Sequence, residues 1–213
     1  MMKGKDMTSV RALVWLVAAS LTLSACVSVG GEIDTPDSLL TLSASAAAPA
    51  GSGAATGAEG SAGAVAVLTP EVPAKLDLLR IPVTVSDTEI AYLKDMVWIE
   101  KPARLFRRVL GETLRTRSDD AGRLLILDSD DTPVLADQFV RGTLLDMGYD
   151  ARSGEVVVSF DAVRSDPQGV VSSRRFEARE YLVDVESEFV GPALNRAANK
   201  VASDVADWVL GAG

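Results

Sequence analysis

The sequence predicts an α/β protein of the α+β kind, one domain whose mixed, mostly antiparallel sheet carries helices packed on one of its faces. Three observations point there. The 213 residues are 47% hydrophobic and 24% charged, enough apolar side chain for one ordinary core. Between Gln138 and Val183, apolar and polar residues alternate in three runs separated by turn signals, the pattern of a half-buried antiparallel meander. Two other stretches, after Pro102 and after Phe189, repeat apolar residues every three or four positions, the period of a helix with one buried stripe.

The chain opens on an address. Lys3, Lys5 and Arg11 precede residues 12–23, which are almost wholly apolar and uncharged. That run is shorter than the roughly 20 residues a membrane-spanning helix needs and suits the apolar centre of a signal peptide. Leu23-Ser24-Ala25-Cys26 closes it and resembles the lipobox of bacterial lipoproteins. The expectation is a leader over residues 1–25, lipid on Cys26, a lipidated tether over 26–37 and a domain over 38–213. Val27, where lipoproteins kept in the inner membrane often carry aspartate, favours the outer membrane, facing the periplasm. Residues 27–37, fully extended, reach about 35 Å.

Within the domain, Ser38 to Leu42 is a short apolar run of strand character. Residues 44–66, nearly all Ala, Gly, Ser, Pro and Thr, cannot offset their ordering entropy and read as a flexible insertion. Ala64 to Leu76 suggests a strand ending, at Pro70 and Pro73, in an extended edge segment. Leu79–Val85 and Glu89–Trp98 are predicted strands joined by a turn at Ser86-Asp87-Thr88. Pro102 fits the first position of a helix running to Arg117, with Leu105, Phe106, Val109, Leu110 and Leu114 as its buried stripe. Arg104, Arg107, Arg108 and Arg115 are expected on its solvated faces. Asp119 to Gly122 is a turn into a strand at Leu124–Leu127. The three strands of the meander are expected at 138–149, 155–164 and 170–183, joined by residues 150–154 and by a type I turn at Asp166-Pro167-Gln168-Gly169. Val156, Val158, Phe160 and Ala162 share one face of the middle strand. The last helix carries Phe189, Val190, Ala193, Leu194, Ala197, Val201, Val205 and Trp208, and Pro192 requires it to start near Gly191 or to hold the proline in its first turn.

Several chemistries are disfavoured. The chain has no histidine, which removes the commonest general base and transition-metal ligand, and a single cysteine, which forbids an intramolecular disulfide. The formal charge is -9, and since Lys3, Lys5, Arg11 and Asp6 give the leader +2, the remainder carries -11 and repels nucleic acid. No nucleophile elbow, phosphate-binding loop or ligand cluster is present, so neither an enzyme, a cofactor nor a metal is expected. Asp119 with Asp120 and Asp184 with Glu186 are carboxylate pairs at turns or element ends, where solvated charge is the default. Asp128-Ser129-Asp130-Asp131 begins like a calcium loop, but Pro133 and Phe139 stand where glycine and the bidentate glutamate belong.

Past the lipobox, Leu39-Leu40-Thr41-Leu42, Val72-Pro73, Leu76-Asp77, Ile81, Trp98 ahead of Pro102, the Leu105–Leu114 helix and the final Ala-rich helix resemble the auxiliary lipoproteins of ABC-type transporters, which accompany MCE-type lipid-transfer systems. The sequence departs from that pattern at Leu39 or Leu40, where a tyrosine is usual, and at Ile99-Glu100-Lys101. The resemblance implies an α/β domain with helices on one side of a mixed sheet. It also implies a noncatalytic lipoprotein working with an MCE-domain protein and an ABC permease and ATPase, with a homo-oligomer left open. The alternative is a structural or assembly lipoprotein of the outer membrane that binds other envelope proteins.

Overall fold

A computed structural model of the chain describes residues 38–51, 63–121, 124–128, 136 and 138–211. The leader, Cys26 and the tether lie outside the described residues, as do most of the acidic run 128–131 and Pro133.

Seven strands form one mixed sheet: β1 (Ala64–Val67), β2 (Arg80–Thr84), β3 (Ile90–Val97), β4 (Leu125–Leu127), β5 (Gln138–Asp150), β6 (Glu155–Ser165) and β7 (Val171–Tyr181). Two helices, α1 (Pro102–Ala121) and α2 (Ser187–Val209), complete the fold. The organising strand is β5. On one edge it pairs antiparallel with β6 along its whole length, and β6 pairs likewise with β7. On the other edge, the chain from Ala64 to Thr84 runs parallel to it as one interrupted partner. Val65 to Val67 meet Gln138 to Val140, Glu71 meets Thr143, and Val83 and Thr84 meet Tyr149 and Asp150. The interruption contains a single 3₁₀ turn at Ala74–Leu76. β4 and β3 then lie outside β1 and β2.

The expected extended segment past Pro70 is present and runs along β5: Glu71 donates its N–H to Gly142 at 2.9 Å and accepts from Leu144 at 2.9 Å. The insertion ends earlier than 66, because Ala64 to Val67 are a buried strand. On its near side, Leu40 is already in the sheet, donating to Val97 and accepting from Ile99, both at 2.8 Å, beside Trp98. The following residues cross the helices. Ser43 and Ser45 donate to the side-chain oxygens of Asn195 and Asn199 at 2.9 and 2.7 Å, and Asn199 returns a bond to the Ser43 carbonyl at 2.9 Å. Asn195 and Asn199 sit one helical turn apart on α2, which lets them grip two alternate residues of the chain that crosses it. Asn199→Ala is expected to cost about 1 kcal/mol, since it removes two hydrogen bonds that hold the Ser43–Ser45 backbone to α2; amide exchange should show the Ser45 N–H losing protection before the meander does.

Both helices cover one face. Val140, Leu144, Met147, Val156, Val158, Phe160 and Ala162 point inward and are almost fully buried, as the alternation predicts. α1 contributes Leu105, Phe106, Val109, Leu110 and Leu114, with Phe106 and Phe160 ring centroids 5.1 Å apart. α2 contributes a stripe of small residues, Ala193, Ala197, Ala198, Ala202 and Ala206, all fully buried. Its end is fixed by Arg164 of β6, which donates to the carbonyls of Trp208 and Val209 and stands 4.6 Å from the centre of the Trp208 ring. A cation at the carbonyl end of a helix satisfies its orphan acceptors and opposes its dipole.

Three expectations about the helices change. α1 continues through Asp119 and Asp120 to Ala121, past the predicted turn. α2 starts at Ser187, which puts Pro192 in its second turn; only the bond that Pro192 would have given Glu188, an exposed residue, is lost. Phe189 is exposed instead of lying in the buried stripe. The start of α1 at Pro102 agrees with the sequence.

Candidate functional site

The residues singled out for chemistry do not assemble. Asp184 and Glu186 are exposed in the β7–α2 connection, where the Asp184 carboxylate accepts the Val185 N–H at 2.7 Å and shapes a turn. Asp119 and Asp120 belong to the last turn of α1, and their side chains lie outside the description. Asp128 is held by Arg115 at 3.0 Å. Among the described residues no group of three metal-ligating side chains comes together. No helix among them is long and apolar enough to cross a membrane.

The basic faces of α1 resolve into three roles. Arg104 and Arg108 are exposed, and Arg108 pairs with Glu100. Arg115 joins Glu112 and Asp128 in a half-buried network that raises its own pKa; burial opposes the charge and the two carboxylates outweigh it. Arg107 is not on a solvated face. It is buried against the sheet, donating to the Val67 carbonyl at 2.8 Å and to the Thr69 hydroxyl at 2.9 Å. These bonds fasten α1 to the point where β1 gives way to the extended segment along β5.

The outward face of the sheet holds the feature the sequence did not announce. Strand alternation sends Phe139 and Arg141 of β5, Val163 and Ser165 of β6 and Val171 of β7 to the side away from the helices, in register with one another. Leu68, just past β1, joins them. With Pro167 and Gly169 of the β6–β7 turn they line a groove of about 510 Å³, a size in the usual range of small-molecule sites. Leu68, Phe139 and Val171 are each more than a third exposed, so the groove is apolar surface left open to solvent.

Its polar groups are mostly spoken for. The Asp166 carboxylate accepts the N–H groups of Gln168 and Val170 at 3.0 and 2.8 Å, and the Ser165 hydroxyl accepts the Phe139 N–H at 3.1 Å. Arg141 is different: among the described residues its guanidinium has no ion-pair partner, in a chain whose charge is strongly negative. An apolar trough with one available cation suits an amphiphile with an anionic head. Further along the same face the charges are internally matched. Asp161 chelates Arg175 with two 2.6 Å bonds, and Arg152 binds Asp150 at the hairpin. These hydrogen bonds hold both carboxyls below the ordinary carboxylate range, so their contribution to stability is present above it and disappears as pH falls through the lowered values.

Comparisons place this architecture among known proteins. The family model described as ABC-type transport auxiliary lipoprotein component matches residues 41–206. An uncharacterized protein of solved structure aligns with a TM-score of 0.59 at 16% identity, over 68% of this chain and 92% of that one. Protein XCC0632 from Xanthomonas campestris, of the DUF330 family, aligns with a TM-score of 0.59 at 16% identity, over 70% of this chain and 84% of its own. At such identities the likeness shows a shared fold. No curated protein sequence matches.

Proposed function

We propose that this chain, which belongs to the ABC-type transport auxiliary lipoprotein component family, is a noncatalytic periplasmic subunit of an MCE-type system that moves lipids or other hydrophobic molecules across the envelope, held to the outer membrane by lipid on Cys26. The observation that carries the reading is the family match over residues 41–206, on a chain whose amino terminus has the lipobox Leu23 to Cys26. The groove supplies the physical support for an apolar cargo: Leu68, Phe139, Val163 and Val171 offer a bed for an acyl chain, and Arg141 a contact for its anionic head. The wall is rigid sheet, so little ordering is needed on binding.

Two measurements bear on this. Crosslinking in intact cells, followed by purification of the chain, is expected to recover an MCE-domain protein and an ABC permease; repeated recovery of neither would remove the transport reading. Binding of a fluorescent long-chain fatty acid to the wild-type protein is expected to weaken about tenfold in Arg141→Gln, the loss of one charge-assisted hydrogen bond. Equal binding by the variant would remove the groove from the function while leaving family membership intact.

A further inference from the structure

β7 is the longest edge of the sheet, and no strand among the described residues covers it. The other edges are β3, eight residues, met by Leu40 only at Trp98 just past its end and broken by a register shift and by Asp95 at a φ of 56°, and β4, three residues long. β7 is 11 residues and paired to β6 without a register shift. Its outer row of N–H and C=O groups is a template for another strand.

We propose that β7 pairs antiparallel with β7 of a second copy of this chain, on a two-fold axis through Phe176. The strand Val171–Tyr181 is centred on Phe176, so in this register all 11 residues of each copy find a partner. Antiparallel neighbours directly opposite one another share a face of the sheet. Arg175 then stands opposite Glu177 of the second copy, and Glu177 opposite its Arg175, which extends the Asp161–Arg175 pair into a ladder across the axis. Val171 and Tyr181, 60% and 72% exposed, meet at each end as an apolar pair. Ser172 meets Glu180, Ser173 meets Arg179, and Arg174 meets Ala178, with no like charges opposed.

Neighbouring registers are penalised. Centring on Arg175 sets that residue against itself. Centring on Glu177 does the same for the glutamate and adds Arg175 against Arg179. Charges on an edge strand ordinarily repel stray pairing, and here the same charges admit one partner in one register. The axis stands perpendicular to the sheet, so the two grooves open on the same side of a continuous sheet of 14 strands, twice the seven of one copy.

The test uses the full chain, extracted from cell envelopes in mild detergent. Two cysteine pairs, Ser173→Cys with Arg179→Cys and Arg174→Cys with Ala178→Cys, sample the narrow and wide spacings of an antiparallel ladder. Positions 173 and 179 are roughly 20 Å apart within one strand, so a disulfide between them joins two copies. Mild oxidation is expected to give a linked dimer with at least one matched pair, and none with the mismatched Ser172→Cys/Arg179→Cys or with the unaltered chain. A dimer from neither matched pair, or as much from the mismatched one, overturns the proposal.

A charge test stands beside it, with circular dichroism to confirm folding. Glu177→Arg sets two arginines against each other and Arg175→Glu sets two glutamates, and each alone is expected to raise the dimer dissociation constant on the order of tenfold. Mixed together, the two variants complement at both positions and associate again, as read by light scattering. Undiminished association of either variant alone, or no recovery on mixing, also overturns the pairing.

Discussion

Trp98→Ala is expected to cost about 3–5 kcal/mol, the range for truncating a buried aromatic side chain, and to lower the thermal midpoint by roughly 6–20 °C. Trp98 is fully buried just past the end of β3, in the bridge to Leu40 and four residues before α1 begins. Its backbone N–H donates to Leu79 at 2.7 Å, so the residue ties three segments together. The indole has a second property: its Nε1 is buried and, among the described residues, without a hydrogen-bond partner. Trp98→Phe removes that orphan donor along with part of the ring, so two effects oppose and the loss should be about 1 kcal/mol. Urea denaturation of both variants checks the pair. A phenylalanine variant as damaged as the alanine one would show that the indole N–H is satisfied after all.

Gly142→Val is expected to cost at least about 3 kcal/mol and to send the protein into the insoluble fraction. Gly142 pairs with Ala162 in the middle of β5. A Cβ there would stand 1.9 Å from the Asp161 carbonyl oxygen, and backbone in a ladder has no rotamer by which to withdraw. The same strand carries Arg141 and Leu144, and its other edge takes the Glu71 bonds at this point, so a displaced Gly142 disturbs both neighbours at once. Gly169, in the β6–β7 turn, is the control. Its Cβ would meet nothing, although its φ of 79° favours glycine, and Gly169→Asn, which tolerates that conformation, should stay within about 1 kcal/mol of wild type. Soluble yield and melting temperature distinguish the two.

The local part of this fold was written plainly in the residues. The alternation Val156, Val158, Phe160, Ala162 identified the buried face of β6, and Asp166-Pro167-Gln168-Gly169 identified its turn, because strand pleat and turn chemistry act over a few neighbours. What was illegible is what depends on partners far along the chain. β1 and β2 run parallel to a strand some 70 residues later, and no pattern within them distinguishes parallel from antiparallel pairing. Arg107 was assigned to solvent by its charge, yet it sits four residues after Ala103 and three before Leu110, on the buried stripe; the position was readable, and the charge outvoted it. The groove needed three strands in register before Leu68, Phe139 and Val171 could converge, so only Arg141, an arginine between apolar neighbours of β5, hinted at it. Cys26, the residue most specific in the sequence, lies outside the described structure.

The clasp formed by Asn195 and Asn199 bears on mechanics. If the chain is tied to lipid through Cys26, as proposed, it feels tension at its amino end whenever its partners move. That load enters the domain at Leu40, whose two backbone bonds to the outer strand would otherwise open one after the other. Because Ser43 and Ser45 are gripped a few residues later by α2, the strain passes into that helix and is spread across the helical layer. The attachment thus resists peeling, and the outer strand is spared from acting as the weakest link.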